Sequence, residues 1–355
     1  MLPMTSLQEL AHRTAAADEI ARQIGASAVT IRTAEHLARR AGPESWRLVV
    51  EVEGGRFAGS HVWQLRLNSA ARITLSLDCD SEARVLSAVH AAGVMVAAPI
   101  AVVGGSSPLG RSFIVQPCID GDVLAPPIGQ ERELVATPVA LARELGEQLA
   151  RVHSITPPLP SLACLPVPMS SPAPAEVARL RAALDKAKEP RPALEYVLVW
   201  LEAHAPPGKP LTLVHGDFRT GNFTDNNGRL AGILGWETAH WGDPDEDIGS
   251  MAARCSRQGN DDPVSGGIAP LAPFLEAYTA AAAREIPVDA VRYWKIMAAA
   301  KQATLAVLEG DRFRRGGELR LELALAGLTP AEMEHVALSD IIAWNAQADG
   351  GPKWP

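Results

Sequence analysis

The chain has 355 residues, 47% of them hydrophobic, and a formal net charge of −8. This length and composition describe a globular protein of one large domain or two lobes, and the acidic balance argues against a nucleic-acid partner, which needs a basic face. The four scattered cysteines form no Cys-x-x-Cys pair, residues 1–25 lack a signal-peptide core, and the most apolar run, 91–103, is too short to span a bilayer, so we expect no zinc site, no membrane segment and a cytoplasmic location.

The first third of the chain is predicted to form a small antiparallel sheet with one helix against it. Helical spacing comes first, at residues 7–23 and 29–40. Alternating apolar residues then predict strands, and a helix is expected from an N-cap at Asp80 to a stop at Gly93. The predicted strands cover 46–52, 61–67, 72–77, 101–103 and 111–115.

The remainder is predicted to be mainly helical. One amphipathic helix ends near His153, and short strands are expected at Val214 and at 230–234. Further helices are predicted at 176–188, 191–204, 268–284, 288–309 and 317–326. We therefore expect an α+β fold, with an N-lobe of helices and a five-stranded sheet at 1–117 and a helical C-lobe at 118–355.

One loop, residues 213–222, has the layout of a phosphotransfer site. Asp217 can orient the hydroxyl that attacks a phosphoryl group, and the amide of Asn222, five residues later, can ligate a divalent ion. Asp and Asn beside glycines are also common in ordinary Asx turns, so this pair alone does not decide between the two interpretations.

Three segments together resemble the aminoglycoside phosphotransferase and choline kinase superfamily. They are His-Gly-Asp-Phe-Arg-Thr-Gly-Asn at 215–222, Ile-Leu-Gly-Trp-Glu at 233–237 and Gly-Asp-Pro-Asp-Glu-Asp-Ile-Gly at 242–249. The Gly-Asp-Phe-Arg and Trp-Glu forms are most similar to the branch related to phosphotransferase domains linked to acyl-CoA dehydrogenases. The resemblance implies a bilobal protein-kinase-like fold, the use of ATP and Mg²⁺, and transfer of the γ-phosphoryl group to a small-molecule hydroxyl.

The resemblance also implies roles for individual residues. Asp217 would be the catalytic base and Asn222 a metal ligand, within a catalytic loop at 213–222 and beside a metal-loop equivalent at 233–249. Residues 113–121 match the hinge, and the turn at 54–60 takes the place of the loop that covers the phosphates. The cofactor-binding positions implied in this way include Gly55, Gly59, Gln116 and Cys118. Supporting positions are His215, Arg219, Gly235 and Asp243, the last as an expected helix N-cap.

Gly235 departs from the family pattern, because it stands where the metal-binding aspartate precedes Trp-Glu. A glycine offers no ligand and permits a tight backbone turn. Alternatively, Glu237 supplies the missing metal ligand, since residues two apart on an extended segment point the same way.

The second departure concerns the cation that grips the phosphates. Aligning the predicted strand at 72–77 with the family puts Ser76 in the lysine position, and Glu82 fits the helix acid that pairs with this lysine. Arg72 on the same strand face, or Arg66 on the neighbouring strand, could serve as the cation. The helix dipole alone also favours an acid such as Glu82 in a first helical turn.

Two functions remain open from the sequence. The first is an ATP-dependent phosphotransferase that acts on a small-molecule hydroxyl with Asp217 as base. The second is a degenerate kinase-fold protein, a pseudokinase, which binds a ligand or partner without ordinary Mg-ATP chemistry because of Ser76 and Gly235. Neither the substrate nor the oligomeric state can be deduced from the residues.

Overall fold

The protein is described here by a computed structural model of residues 7, 9–37, 44–68, 75–105, 107–124, 137–187, 189–257, 259–260, 264–315 and 319–348. Within these ranges the N-terminal part is built around an antiparallel sheet, and the C-terminal part is mainly helical. None of the helices in this described part combines the length and the apolar character that a membrane crossing requires.

The N-lobe is a five-stranded sheet covered on one face by a helix. In chain order its elements are α1 (Leu10–Ile24), β1 (Ala28–Leu37), β2 (Glu44–Glu53), β3 (Gly59–Leu67), α2 (Cys79–Ala91), β4 (Ala101–Val103) and β5 (Phe113–Pro117). The strand order is β1-β2-β3-β5-β4, and every neighbouring pair is antiparallel. Ala17 and Ile20 of α1 share a buried core with Leu48 and Leu65 of the sheet.

The predicted helix over 29–40 is wrong, because residues 28–37 form β1 and residues 38–40 lie outside the described part. Val29 and Ile31 are buried, whereas Thr30 and Arg32 between and beside them are exposed. This alternation has the period of a strand, and β-branched residues favour it. The antiparallel ladder to β2, which the local sequence does not reveal, decides the conformation.

The predicted strand over 72–77 does not belong to the sheet as far as it is described. Residues 72–74 lie outside the described part, and residues 75–77 have no strand structure. Leu75 is 3% exposed and belongs to a core cluster with Leu180 and Tyr293 of the C-lobe. The backbone N–H of Leu77 donates to the carbonyl oxygen of Glu237 over 2.6 Å. This segment therefore docks on the helical lobe.

The helix that follows begins two residues earlier than its predicted cap implied. Asp78, not Asp80, is the N-cap of α2, and its side chain accepts a hydrogen bond from the backbone of Ser81 over 2.8 Å. Glu82 lies on the buried stripe of this helix and is 1% exposed. Because this carboxylate points inward, it needs a cation or a hydrogen-bond donor to offset the cost of burying its charge.

The C-lobe follows β5 and consists of helices and short strands. The helices are α3 (Pro138–His153), α4 (Pro172–Leu184), α5 (Pro192–Ala203), α6 (Asp245–Ala252), α7 (Leu271–Ala282), α8 (Val288–Arg315), α9 (Leu321–Ala326) and α10 (Pro330–Ala348). The strands are β6 (Asp122–Val123), β7 (Thr212–Val214), β8 (Phe223–Asn226), β9 (Arg229–Ile233) and β10 (His240–Gly242). The helix α10 was not predicted from the sequence.

Two small antiparallel sheets carry the motif loops. β7 pairs with β10, and β8 pairs with β6 and β9. The loop 215–222 runs from β7 to β8, and the loop 234–239 runs from β9 to β10. The backbone N–H of Leu234 donates to the carbonyl oxygen of Asn222 over 2.7 Å, so the two loops are in direct contact.

Candidate active site

The loop that carries Asp217 is held in place by hydrogen bonds to a buried carboxylate. Asp247 of α6 is fully buried and accepts hydrogen bonds from the backbone N–H groups of His215 and Gly216, over 2.7 and 2.8 Å. His153 contacts the same carboxylate over 3.1 Å. Burial acts to raise the pKa of Asp247, but the hydrogen bonds from His153 and from the backbone of His215 hold it below its ordinary value. Asp247 is therefore ionised, and its hydrogen bonds fix the backbone at residues 215–216.

His215 links the two motif loops. Its Nδ1 accepts the backbone N–H of Asp217 over 3.2 Å, and its Nε2 lies 2.8 Å from the carbonyl oxygen of Leu234. Since a carbonyl only accepts, Nε2 carries the proton and the ring is neutral. Burial lowers the pKa of His215 and favours the same state.

The Asp217 carboxylate is fixed by three side chains and is 14% exposed. Its Oδ1 accepts from Nε of Arg219 over 2.8 Å and from Nε2 of Gln302 over 2.7 Å. Its Oδ2 accepts from Nδ2 of Asn222 over 2.7 Å. A carboxylate has about four acceptor positions, so one position on Oδ2 stays available to a ligand.

Gly235 and Asn222 are in direct contact. Gly235 has a φ of +80°, and a Cβ placed on it would lie 2.7 Å from Cγ and Oδ1 of Asn222. The Asn222 amide therefore lies against the backbone of residue 235, on the side where any side chain there would begin. Its nitrogen also donates to the carbonyl oxygen of Asp217 over 2.8 Å.

Arg66, and not Ser76, is the cation that pairs with Glu82. Arg66 on β3 is 6% exposed and donates to the Glu82 carboxylate. Burial would lower the pKa of Arg66, but the charges of Glu82 and Glu237 raise it, so the guanidinium stays charged. The placement of Ser76 in the lysine position is wrong, because its segment leaves the sheet. Arg72, the other candidate cation, lies outside the described residues.

Glu237 lies in the same charged group. Burial and the Glu82 carboxylate raise its pKa to about 6, Asp217 adds to this effect, and Arg66 opposes it. Its Oε2 is buried and has no hydrogen-bond partner within the described part of the chain. Glu237 therefore faces the cleft between Arg66 of the N-lobe and Asp217 of the C-lobe.

Gly55 and Gly59 lie at the wrong end of the sheet for the role implied for them. They belong to the turn between β2 and β3, and β3 begins at Gly59 and reaches Arg66 seven residues later, about 23 Å along the strand. A Cβ on Gly55 would lie 3.1 Å from the carbonyl oxygen of Gly25, so this turn packs on the α1–β1 connection. The β1–β2 connection, residues 38–43, starts and ends at the Arg66 end and lies outside the described part.

A groove of about 710 Å³ opens near the β2–β3 turn, away from Asp217. Its lining includes Phe57, Met95, Pro99, Pro117 and Ile119. It runs behind the hinge and contains none of the charged residues described above.

The predicted hinge residues continue from β5. Gln116 is 3% exposed and lies opposite Gln64 of β3. The backbone N–H of Cys118 donates to the carbonyl oxygen of Val62 over 3.1 Å, which ties the hinge to β3.

Asp243 lies two residues before the first residue of α6. The residue directly before α6 is Pro244, and the Asp243 carboxylate accepts from the backbone of Asp245 over 2.9 Å. Burial raises the pKa of Asp243 to about 6. Because Pro244 has helical φ and ψ and the Asp243 carbonyl accepts from the backbone of Glu246, the bond from Asp245 is the contact that an N-cap side chain makes, as the sequence predicts.

The contribution of α8 to the site was not predicted from the sequence. Gln302 contacts Asp217, and the carboxylate of Glu309 lies near Arg219 and Asp217; its pKa is raised to about 7 by burial. The two residues are seven apart, about two helical turns, so they share one face of α8. Two polar residues at this spacing on a largely buried helix could have indicated a functional face of α8. The spacing alone could not identify Asp217 as the residue that they contact.

The same helix contributes Lys301 to a cluster of buried charged side chains next to the loop at 215–222. Lys301 is 3% exposed and donates to Glu246 over 3.0 Å; its Nζ is also 3.6 Å from Glu176. Arg179 holds Glu176 with two hydrogen bonds of 2.7 Å, and His240 lies 3.1 Å from Glu246. These opposite charges compensate one another inside the lobe, so this cluster is part of the support for the loop.

The position at which the resemblance implies a magnesium-binding aspartate carries no side-chain ligand in this chain. The described residues contain no group of three or more His, Cys, Asp or Glu side chains that could hold a metal ion. Residue 235 offers no ligand, and Asn222 turns its amide nitrogen toward Asp217. Glu237 remains as one carboxylate with a raised pKa. Magnesium at nucleotide sites is held by one or two protein carboxylates together with phosphate oxygens and waters, so Glu237 is the candidate carboxylate that this cleft offers.

The chain is similar to one protein family over most of its length. The model described as "Phosphotransferase enzyme family" matches residues 39–287. A shorter match, 41% identical over 59 residues, is to mouse (Mus musculus) acyl-CoA dehydrogenase family member 10. It covers 16% of this chain and 6% of that protein.

Solved structures of similar shape are phosphotransferases. A Ralstonia eutropha JMP134 chain described as an aminoglycoside phosphotransferase superimposes with a TM-score of 0.67 at 19% identity, over 92% of this chain and 97% of that one. A thermostable mutant of aminoglycoside phosphotransferase APH(4)-Ia, in a ternary complex with ADP and hygromycin B, has a TM-score of 0.57 at 16% identity, with 91% and 99% covered. Macrolide 2′-phosphotransferase type I has a TM-score of 0.55 at 20% identity, with 90% and 96% covered. The predicted α+β fold, with an antiparallel sheet followed by a helical remainder, is confirmed.

Proposed function

The chain belongs to the phosphotransferase enzyme family, and we propose that it transfers the γ-phosphoryl group of a nucleoside triphosphate to a hydroxyl of a small molecule, with Asp217 as base. The observation that carries this proposal is the Asp217 carboxylate, 14% exposed, held by three donors and left with one acceptor position. A fixed carboxylate at the cleft is what the attacking hydroxyl requires.

The free position on Asp217 defines the first step. Oδ1 already accepts from Arg219 and Gln302, so the substrate hydroxyl donates to Oδ2, beside Asn222. As the hydroxyl oxygen bonds to the γ-phosphorus, its proton passes to Oδ2 and the bond from phosphorus to the β–γ bridging oxygen breaks. The products are a phosphate ester and a nucleoside diphosphate. The three donors keep the carboxylate in one orientation throughout, which is the positioning on which phosphoryl transfer depends.

Arg66 is the candidate phosphate-binding cation on the other side of the cleft. Its guanidinium donates a hydrogen bond to Glu82 and lies near the carboxylate of Glu237. The planar guanidinium can donate two parallel hydrogen bonds to phosphate oxygens. Solved neighbours were crystallised with ADP, AMP-PNP or GDP, which supports a purine nucleotide as the phosphoryl donor here. Aminoglycoside and macrolide phosphotransferases among them support a hydroxyl-bearing small molecule as the acceptor.

A second candidate function is favoured by Gly235. The Asn222 amide lies where a side chain at 235 would begin. Of the two positions that the family uses to bind metal, residue 235 is therefore a glycine, and Asn222 already donates a hydrogen bond to Asp217. Without a principal magnesium ligand, charge on the transferring group is less well neutralised. On this interpretation the protein binds a nucleotide or another ligand in the cleft and does not transfer phosphate.

The test is Asp217→Asn in the full chain, with ATP and GTP as donors and either water or hygromycin B as acceptor. We expect release of nucleoside diphosphate by wild type and a loss of about 100-fold or more in the variant. Asp289→Asn, a 76% exposed position on α8, is the matched control and should keep the wild-type rate. Equal rates for Asp217→Asn and wild type would refute the assigned base. Nucleotide binding by wild type with no release of diphosphate for either acceptor would favour the second candidate.

A further inference from the structure

Two buried glutamine amides lie opposite each other on the cleft-facing side of the sheet. Gln64 of β3 and Gln116 of β5 are 2% and 3% exposed, and the β3–β5 register makes them direct partners. We propose that this amide pair contacts the purine base of the bound nucleotide and determines which base edge is accepted. The inference rests on the proposed function, because it requires a nucleotide between the lobes.

The orientation of the amide pair follows from alternation along β3. Trp63, Leu65 and Leu67 belong to the core between the sheet and α1. Side chains alternate across a strand, so Gln64 and Arg66 point to the opposite face. Arg66 reaches Glu82 there and lies near Glu237 of the C-lobe, so this face is the one turned to the cleft.

The spacing matches the two ends of one nucleotide. Gln64 and Arg66 are two residues apart, which is about 7 Å along a strand. That distance is comparable with the reach from a purine ring through its ribose to the first phosphate. Gln116 is followed directly by Pro117, the last residue of β5, so the amide pair lies at the hinge side and Arg66 toward the phosphates.

The amide pair does not satisfy its own hydrogen-bonding groups. Nε2 of Gln116 donates to Oε1 of Gln64 over a long 3.3 Å. Nε2 of Gln64 and Oε1 of Gln116 are buried and have no partner in the described part of the chain. Turning both amides round exchanges nitrogen and oxygen but again leaves one of each unpaired. One donor and one acceptor are therefore free in either orientation.

Another buried glutamine shows the usual situation. Gln148 is 6% exposed, and its Oε1 accepts the backbone N–H of Met95 over 2.8 Å. Buried polar groups are normally paired in this way, because an unpaired one loses its water without gaining a partner. A ligand that presents an acceptor next to a donor would satisfy both free groups of the amide pair.

Purine bases present such an edge. Adenine carries a ring-nitrogen acceptor beside its amino donor, and guanine carries its O6 acceptor beside the N1–H donor. A purine ring that lacks the exocyclic group offers acceptors only. The amide pair should therefore distinguish a complete base from the bare ring.

The experiment measures binding of ATP, GTP and purine riboside triphosphate, which lacks the exocyclic group, by titration calorimetry on the full chain. We expect wild type to bind the better of ATP and GTP about 10-fold more tightly than purine riboside triphosphate. The double variant Gln64→Leu/Gln116→Leu should lose most of this preference. It removes both unpaired groups together, so its melting temperature without ligand should equal or exceed that of wild type.

Gln148→Leu is the matched control. It leaves the Met95 N–H unpaired, so it should lower the melting temperature and keep the wild-type preference between nucleotides. A double variant with the full wild-type preference would overturn the inference, and so would one destabilised as much as Gln148→Leu. Wild type that binds neither ATP nor GTP would remove the proposed function itself, and the amide pair would lose its ligand with it.

Discussion

Gly235 is a glycine for two separable reasons. Its φ of +80° lies in the left-handed region, and a Cβ there would contact the Asn222 amide at 2.7 Å. The first reason is a matter of backbone strain, and the second is steric. Asn222 in turn donates to Asp217, so a side chain at 235 acts on the candidate base through one intermediate residue.

Gly235→Ala should therefore lower the free energy of unfolding by about 2–3 kcal/mol, measured by urea denaturation. Gly25→Ala is the control, since Gly25 has a φ of +66° and open space around its Cβ position. We expect that variant to cost about 1 kcal/mol, from strain alone. Equal losses at the two positions would mean that the Asn222 contact contributes nothing.

Glu309 gives the cleft a pH-dependent contribution to stability. Burial raises its pKa from 4.5 to about 7; Asp217 and Glu237 act in the same direction, and Arg312 and Arg219 oppose them. Between these two pH values the folded protein binds more protons at this group than the unfolded chain does. Its contribution to stability is therefore present below about pH 4.5 and is lost as the pH rises through about 7.

Glu309→Gln removes this titration, and its stability relative to wild type should depend on pH. At pH 8 we expect the variant to be more stable by about 1–2 kcal/mol, a figure reduced from the full shift because the side chain is partly exposed. At pH 4, below the unfolded pKa of 4.5, the two proteins should unfold nearly alike, which serves as the internal control. Paired urea titrations at the two pH values measure the difference, and a constant difference would contradict the prediction.

At the level of elements, the identity of the third strand decides which residue is the candidate phosphate-binding cation. With β1 at Ala28–Leu37, the strand that carries the cation is β3, and Arg66 lies near its end. The register pairs Arg66 with Ser45 at the start of β2, and Ser45 pairs in turn with Leu37 at the end of β1. Ser76 comes after the sheet, where Leu75 and Leu77 dock on the C-lobe.

The double variant Arg66→Met/Glu82→Gln tests this assignment without leaving Glu82 as a buried charge that has lost its hydrogen-bond partner. We expect its affinity for ATP or GTP to fall by about 10- to 100-fold, the range for losing a charge-assisted contact to phosphate. Ser76→Ala is the control and should bind as wild type does. Titration calorimetry gives both values. An equal loss of nucleotide affinity in Ser76→Ala and in the double variant would instead support Ser76 in the lysine position.

Over the whole molecule, α2 connects the two lobes. Val85, Leu86 and Val89 of α2 share a core cluster with Leu149 and Phe218 of the C-lobe, whereas the other face of the sheet packs separately on α1. The Leu77–Glu237 backbone bond and the Arg66–Glu82 pair lie at the same junction. A ligand in the cleft should therefore stabilise both lobes together.

The missing carboxylate at 235 leads to a prediction about magnesium. A nucleotide present at about 100 times its dissociation constant stabilises a protein by about 2.7 kcal/mol. We expect the rise in melting temperature with ATP or GTP to change by less than about 2 °C when EDTA replaces magnesium, because few ligands are fixed for the ion. Thermal unfolding of the full chain measures this. A large magnesium-dependent rise that disappears in Glu237→Gln would instead identify Glu237 as the metal ligand.

The sequence by itself determined the family and the position of the candidate catalytic loop. Asp217, Asn222, Gly235 and Glu237 lie within about two dozen residues, in loops whose short strands follow local patterns. Such contiguous motifs can be recognised without knowledge of distant parts of the chain. The α+β fold class was accessible for a similar reason, since most helices and strands follow their own periodicity.

Only the tertiary structure decided which residues meet at the site. β1 is a strand because β2 pairs with it, Arg66 is the partner of Glu82 because β3 faces α2, and Gln302 reaches Asp217 from 85 residues away. The Gln64–Gln116 pair likewise depends on the β3–β5 register. These contacts join segments that are distant in sequence, and their free energy comes from packing and pairing rather than from local preference. A single sequence shows the residues, but the register and the helix faces that bring them together exist only in the folded chain.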